Sequence, residues 1–337
     1  MKLTRNRLTL RHSMAFVALV ALMLCAYRAL PSLLGILDDG PFNAIGRVKK
    51  SWDLGPSPSV TVDVFEGTIQ VNPSPDHLVS AEITTVAQCK YSQSDSDVAL
   101  GTIDLELNVR GDSIRISVKA SSGAGFRKEA DVDLYVPQGV HLDVRTGRGE
   151  IRVGRGYSGN GPVHQPIAAS SVRARNDSRY RLGYAEGNII IETIAPPAVG
   201  GAFANPTRLQ LDAAGQIEIL ARSAIVEARA WHGLAPKGWT AVDYENEFEG
   251  RITFEGSLAK GDSLFRAAHA IAMKLLGDTA LEVDAEAVNG AITGDLLPRP
   301  LEPMKNRTRC KGVIGSDRSG SLHLRTDDGP IRLNNLP

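Results

Sequence analysis

The chain has 337 residues, 42% hydrophobic and 23% charged, which supports a packed core and excludes wholesale disorder. Its 38 Lys+Arg are balanced by 38 Asp+Glu, so the basic surplus a nucleic-acid binder needs is missing. Gly is 33 of 337 and aromatics are only 5%, which points to many turns and a core of small aliphatic groups.

Residues 1–13 carry Lys2, Arg5, Arg7 and Arg11 with no acidic residue. An apolar run follows from Met14 to Tyr27 and includes Phe16, Val17, Leu19, Val20, Leu22 and Leu24; Arg28 interrupts it, and a mostly apolar stretch continues to Leu37. Residues 14–37 are long enough for one membrane-spanning helix, with Arg28 snorkelling at its outer end. An uncleaved signal anchor is preferred to a cleaved signal peptide or a lipid-modified Cys25, because no clean small-x-small site follows Tyr27 and bulky Leu24 precedes the Cys. The positive-inside rule then keeps residues 1–13 in the cytoplasm and sends the rest across. Cys89 and Cys310 are the two remaining cysteines, so packing rather than a disulfide framework must stabilise the exported part.

Residues 38–58, with Asp38-Asp-Gly-Pro41 and Gly55-Pro-Ser-Pro58, read as a linker. Residues 59–136 read as a strand-rich cap or first coils; Leu105–Val109 and Ile114–Val118 flank Arg110-Gly-Asp-Ser113 as a hairpin would. Beyond them one unit keeps returning: apolar alternation, a short polar stretch ending in Gly, one residue, then Ile and more alternation. Its glycines are Gly67, Gly149, Gly187, Gly215, Gly250, Gly290 and Gly329. From Gly149 they are spaced 38, 28, 35, 40 and 39 residues apart, and Ala268-His269-Ala-Ile271 lies between two of them as a degenerate copy. A period near 20 predicts an all-β fold, a β-solenoid of about 14 coils at most over residues 137–337 and part of the preceding region. Each glycine is expected at a corner with positive φ, and each following Ile re-enters the core. Residues 263–276 read alone as an amphipathic helix; in register with the repeat they read as a coil, which is preferred.

Val132-Asp-Leu-Tyr-Val-Pro137 through Leu142 to Val153 resembles the strand, Pro, turn, strand, Gly-x-Ile unit of the bacterial putative-adhesin domain family. Gly256–Asp262, Val288–Thr293 and Leu322–Leu333 resemble further units of it. The resemblance covers about residues 130–335 and implies an exported, membrane-anchored β-solenoid, with no catalytic residue to carry over. His269 and the Pro-bearing stretches 155–180 and 195–208 depart from the pattern.

Chemical motifs are sparse. Gly154-Arg-Gly156-Tyr-Ser-Gly159 matches a dinucleotide fingerprint, but Asn160-Gly-Pro162 cannot open the helix that motif requires, so a turn is expected. None of the seven His pairs with another His or a Cys at metal-ligand spacing. Asp95 and Asp97, with Ser92 and Ser94, could offer oxygens to calcium; a solvated loop is preferred. Arg110–Ser113 spells an integrin-recognition tetrapeptide that a tight turn explains fully. Asp104, Glu106, Asp131, Asp133, Glu150 and Glu218 alternate with apolar residues as outward faces of strands do; paired, they could act on a polysaccharide. Trp231 and Trp239 flank a Gly/Pro loop suited to a glycan or to covering a coil end. The expectation is a non-enzyme of the bacterial inner membrane, without cofactor or metal, displaying an adhesive or scaffold surface to a cell-surface glycan or envelope protein. The alternative is a polysaccharide-binding or polysaccharide-degrading β-helix.

Overall fold

A computed structural model describes residues 42–89, 92–121, 126–158, 161–177, 187–196, 205–231, 250–276, 280–297, 301–304, 306–315 and 320–336. The expected cytoplasmic segment and membrane anchor (Met14, Phe16, Val17, Leu19, Val20, Leu22 and Leu24) lie outside these residues, as do Arg181–Glu186 and Trp239. Among the described residues no helix is long and apolar enough to cross a membrane.

The chain is all-β. The expected linker is largely a strand, β1 (Phe42–Trp52), followed by β2 (Ser59–Val64), β3 (Ile69–Pro73) and β4 (Val79–Cys89). One helix follows, α1 (Gln93–Leu100), where a loop was expected. Ser92 caps it: its hydroxyl oxygen accepts from the Asp95 N–H at 3.1 Å, and Asp95 adds negative charge to the first turn. The Ser96 hydroxyl ties α1 to β1 by donating to the Phe42 carbonyl at 2.7 Å. The expected hairpin is β5 (Ile103–Arg110) and β6 (Ser113–Ala120), turned by Gly111-Asp112 with Gly111 at φ +54°.

Then come β7 (Phe126–Val136), β8 (His141–Thr146), β9 (Ile151–Val153), β10 (Arg155–Ser158), β11 (Gly161–His164), β12 (Ile167–Ala168), β13 (Ser171–Asn176) and β14 (Ile189–Ile194). The fingerprint-like glycines lead into the β10–β11 hairpin, where a dinucleotide site would need a helix. They are followed by β15 (Thr207–Ala213), β16 (Ile217–Ala230), β17 (Arg251–Leu258), β18 (Asp262–Ala267) and β19 (Ala270–Leu276). Residues 263–276 are thus two strands. Last are β20 (Leu281–Val288), β21 (Ile292–Thr293), β22 (Leu301–Met304), β23 (Arg307–Ile314), β24 (Ser321–Thr326) and β25 (Ile331–Leu336).

Pairing arranges these strands in two stacks. In the first, β6, β2, β8, β13, β15, the second half of β16, β18, β24 and β20 lie parallel in that order. In the second, β7, β3, β9, β14, the first half of β16, β17, β19, β25 and β21 do the same. Each strand of the first stack leads along the chain into the corresponding strand of the second, so the described residues make nine laps. β16 serves both stacks: its pairing slips between Ala221 and Ala224, where Ser223 takes φ +57°. Most steps along the chain between paired residues exceed the expected period, for example from Ile69 to Ile151 and from Ile151 to Ile189. The shortest steps are Thr207 to its partner Ala224 and Ile252 to its partner Ile271, near the expected period.

The core lies between the stacks. In the second, Val132, Ile69, Ile151, Ile189, Ile217, Ile252, Ile271, Ile331 and Ile292 form one in-register column, none more than 2% exposed. Each such side chain stabilises the fold by about 1.5–3 kcal/mol on burial. Opposite them run Ile116, Val62, Val144, Ala174, Leu211, Ala228, Phe265, Leu324 and Ala285. Phe254 and Phe265 meet edge to face across this core, ring centroids 5.6 Å apart. Cys89 and Cys310 are buried thiols.

The ends are finished differently. At one, β5 pairs antiparallel with β6, and β4 and β1 extend β7 antiparallel. At the other, β23 and β22 extend β20 antiparallel. Lys49, Lys50 and Arg47 on the outermost strand β1 discourage pairing with another chain. At both ends the outermost lap is out of chain order: β6/β7 lies outside β2/β3, and β20/β21 lies outside β24/β25.

Candidate functional site

The seven repeat glycines occupy corners between the stacks, but they are not alike. Gly67, Gly149, Gly187 and Gly329 have φ of +135°, +119°, +128° and +143°. Gly215, Gly250 and Gly290 lie outside the positive-φ region, contrary to the expectation of a uniform corner. Close approach excludes a side chain there instead: a Cβ on Gly290 would sit 2.1 Å from the Gly329 carbonyl oxygen, and one on Gly215 2.6 Å from Asn188 Oδ1. The sequence pattern also hides a second corner device. Thr146, Asn176 and Thr326 end first-stack strands, are fully buried, and donate to the carbonyls of Arg148 (2.7 Å), Gly149 (2.6 Å) and Gly329 (2.6 Å) respectively. A lone Thr or Asn at the sixth position of an alternating strand is the signal that marks them.

The six candidate carboxylates scatter. Asp104 and Glu106 are on β5, where Glu106 pairs with Lys119 at 3.3 Å. Glu150 pairs with Arg152, and Glu218 with Arg155. Asp131 and Asp133 stand two positions apart on the outward face of β7, as Asp104 and Glu106 do on β5, and Glu82 of β4 lies directly opposite Asp133. Asp131 accepts from the Thr68 N–H at 2.8 Å. Burial pushes the Asp133 carboxyl above the usual carboxylate range, and repulsion from Asp131 and Glu82 adds to it. Among the described residues no group of three His, Cys, Asp or Glu could hold a metal. Asp95 and Asp97 belong to α1, where Asp97 accepts from Gln93 at 3.1 Å. The Trp231 indole donates to Asp212 at 2.7 Å, tying down that side chain.

An open groove of about 480 Å3 lies on the outer face of the first stack. It crosses the beginnings of β2, β8, β13, β15, the second half of β16, and β18. Its floor is strand backbone over Leu142, Val172, Leu209 and Val226, all buried inward. Alternation therefore turns the intervening residues outward, and these are polar except for Ile225. His141 Nδ1 and the Ser171 hydroxyl are 2.9 Å apart. The Arg173 Nε–H donates to Gln210 at 2.8 Å. Glu227 accepts from Arg229 at 2.8 Å, and Asp262 from Ser321 at 2.6 Å. Arg208 and Asp143 also line the groove and engage no side chain among the described residues. Sequence reasoning missed this groove, because its residues are 17 to 82 positions apart and only the pairing brings them together. It is open and mixes polar side chains with Ile225 and an apolar floor, suited to an extended ligand rather than to enclosing a small molecule.

No family model matches the chain, and no curated protein matches it. Solved structures similar to it include a putative cell adhesion protein from Clostridium sporogenes ATCC 15579, at 9% identity over 88% of this chain and 100% of that one, TM-score 0.26. A putative adhesin from Bacteroides fragilis NCTC 9343 matches at 8% identity over 86% of this chain and 97% of that one, TM-score 0.27. A putative lipid binding protein from Parabacteroides distasonis ATCC 8503 matches at 7% identity over 87% and 97%, TM-score 0.26.

Proposed function

We propose that the chain is a membrane-anchored β-solenoid of the bacterial cell envelope, and that its outer faces act as a non-catalytic adhesive or scaffold surface. One observation carries the recognition role: the open groove along the first stack, where side chains from six strands converge on one face. The winding supports the solenoid description, since each lap adds one strand to each stack and lies in register on its neighbour. The basic cluster before residues 14–37 supports an N-in anchor in the inner membrane. β1 begins at Phe42, five residues past Leu37, and five extended residues reach about 18 Å at most, which holds the β1 end of the stack near the bilayer.

Two measurements test this. Protease added to cells with a permeabilised outer barrier should degrade the domain beyond residue 42 and spare the N-terminus; full protection of the domain removes the display role. The purified full chain in detergent micelles should sediment with lipid-free, detergent-washed cell-envelope material, and Arg173→Gln with Arg208→Gln should release it; equal sedimentation of both proteins removes the groove from the role.

A second reading, polysaccharide cleavage, has one observation in its favour, the raised Asp133 beside Asp131 and Glu82. These carboxylates stand on the second stack, away from the groove of the first. Release of reducing ends from envelope polysaccharide, abolished by Asp133→Asn, would establish this second reading in place of the first.

A further inference from the structure

The groove has a charge order. Along the stacking direction it presents Asp143 on β8, Arg173 on β13, Arg208 on β15, Glu227 on β16 and Asp262 on β18. Two cations lie in the middle and carboxylates lie outside them. Ser171 faces Arg208 across β13 and β15, and Arg173 faces Gln210, so the two arginines are diagonal neighbours. Diagonal positions on adjacent strands are about 7–8 Å apart, within reach of one shared anion for side chains this long. Neither guanidinium meets a carboxylate among the described residues; Arg173 spends only its Nε–H, on Gln210. The outer carboxylates, with the His141–Ser171 pair, offer acceptors and donors to hydroxyl groups. Strands stack about 4.8 Å apart, so the five strands span about 19 Å, a length that suits several consecutive sugar units and exceeds one.

We propose that this groove binds an acidic polysaccharide running along the stacking axis. One sugar carboxylate sits between Arg173 and Arg208 in charge-assisted hydrogen bonds, and the hydroxyls of flanking sugars bond Asp143, Glu227 and Asp262. A polyphosphate or nucleic acid fits poorly, because its regular negative charges would face those three carboxylates. The inference rests on the surface-recognition role proposed above and names its ligand class.

The test uses the full chain in detergent micelles and polygalacturonate as probe, with its methyl-esterified form as an uncharged counterpart and inorganic polyphosphate as a plain polyanion. Binding is read by isothermal titration and by retardation in gels containing the polymer. Wild type should bind polygalacturonate and bind the ester and polyphosphate at least tenfold more weakly. Arg173→Gln with Arg208→Gln should weaken polygalacturonate binding at least tenfold. Arg266→Gln, outside the groove and paired with Asp327, should leave it unchanged. Arg208→Gln alone is the second groove variant and should weaken binding where the double variant fails to fold. Equal affinity for the ester or for polyphosphate, or undiminished binding by folded groove variants, overturns the proposal. Failure to bind polygalacturonate alongside arginine-dependent sedimentation with envelope material removes the acidic ligand and leaves the recognition surface; failure of both removes both.

Discussion

Gly149→Ala is the sharpest probe of the corner. The residue has φ +119°, a backbone conformation nearly restricted to glycine, and imposing it on an L-residue costs about 1–3 kcal/mol. A Cβ there would lie 2.2 Å from the Gly67 carbonyl oxygen and 2.7 Å from its carbon. That carbonyl cannot simply retreat. Gly67 is held by its N–H bond to Arg148 at 2.8 Å, and the Gly149 carbonyl accepts from the Gly187 N–H at 3.0 Å on the next lap. Breaking one such bond and leaving a buried group unpaired costs about 1–3 kcal/mol. The combined loss is about 2–6 kcal/mol, a large share of a total stability of about 5–15 kcal/mol. Gly111→Ala is the matched control: φ is +54°, and nothing lies within 4 Å of its Cβ, so it should cost about 1–2 kcal/mol. Gly290→Ala isolates the steric part, since Gly290 lacks positive φ. Urea unfolding followed by circular dichroism should show the Gly149→Ala midpoint falling by about 1 M or more. Equal midpoints for Gly149→Ala and Gly111→Ala would refute the close stacking of laps at this corner.

Asn176→Ala should lower stability by about 0.5–1.5 kcal/mol in the same assay, because the Gly149 carbonyl loses one of its two donors and keeps the Gly187 N–H. Two carboxylates should show opposite pH behaviour. The Asp284 pKa is held down by its hydrogen bond from Arg309, so its contribution is present above the ordinary carboxylate range and is lost as pH falls through the depressed value. Asp284→Asn should therefore destabilise by about 0.2–1 kcal/mol at pH 7 and converge with wild type in acid. The Asp133 pKa is raised by burial, so ionising it opposes folding; Asp133→Asn should stabilise the protein at pH 7 and have no effect once pH falls below the ordinary carboxylate range. Cys89 and Cys310 should resist a thiol reagent in the native protein and react fully in urea, with burial also pushing the Cys310 thiol pKa up; rapid native labelling would contradict their burial.

The isoleucine column was the legible part of the fold. Side chains alternate with period two, so the residue two places after a corner glycine must face inward in every lap, and Gly149-Glu-Ile151 and Gly329-Pro-Ile331 announce it directly. Ala268-His269-Ala-Ile271 kept the spacing without the glycine, and its isoleucine lies in the same column. The strand that pairs in register ahead of β14 is β13, and residues 177–188 separate the two, so no short repeat unit links them in the sequence. β1 was hidden because its burial alternates only weakly, and α1 because a capped eight-residue segment has too few turns to display a period. Lap order was not legible at all. Every lap presents similar aliphatic ladders, so local pattern cannot choose its neighbours. For the same reason the groove had no linear signature, since its charges lie on the outward positions that any solvated strand fills with polar residues.

The out-of-order lap at the far end constrains how the molecule is assembled. β24 and β25 come last in the chain yet are clasped on both flanks, by β18 and β19 on one side and by β20 and β21 on the other. An emerging polypeptide cannot build this end by simple addition, because the seat beside β18 must stay vacant until the final residues arrive. The C-terminal segment thus works as a keystone: a chain cut short before Ser321 would be left with two facing, unsatisfied edges and a terminal block that has nothing to lean on.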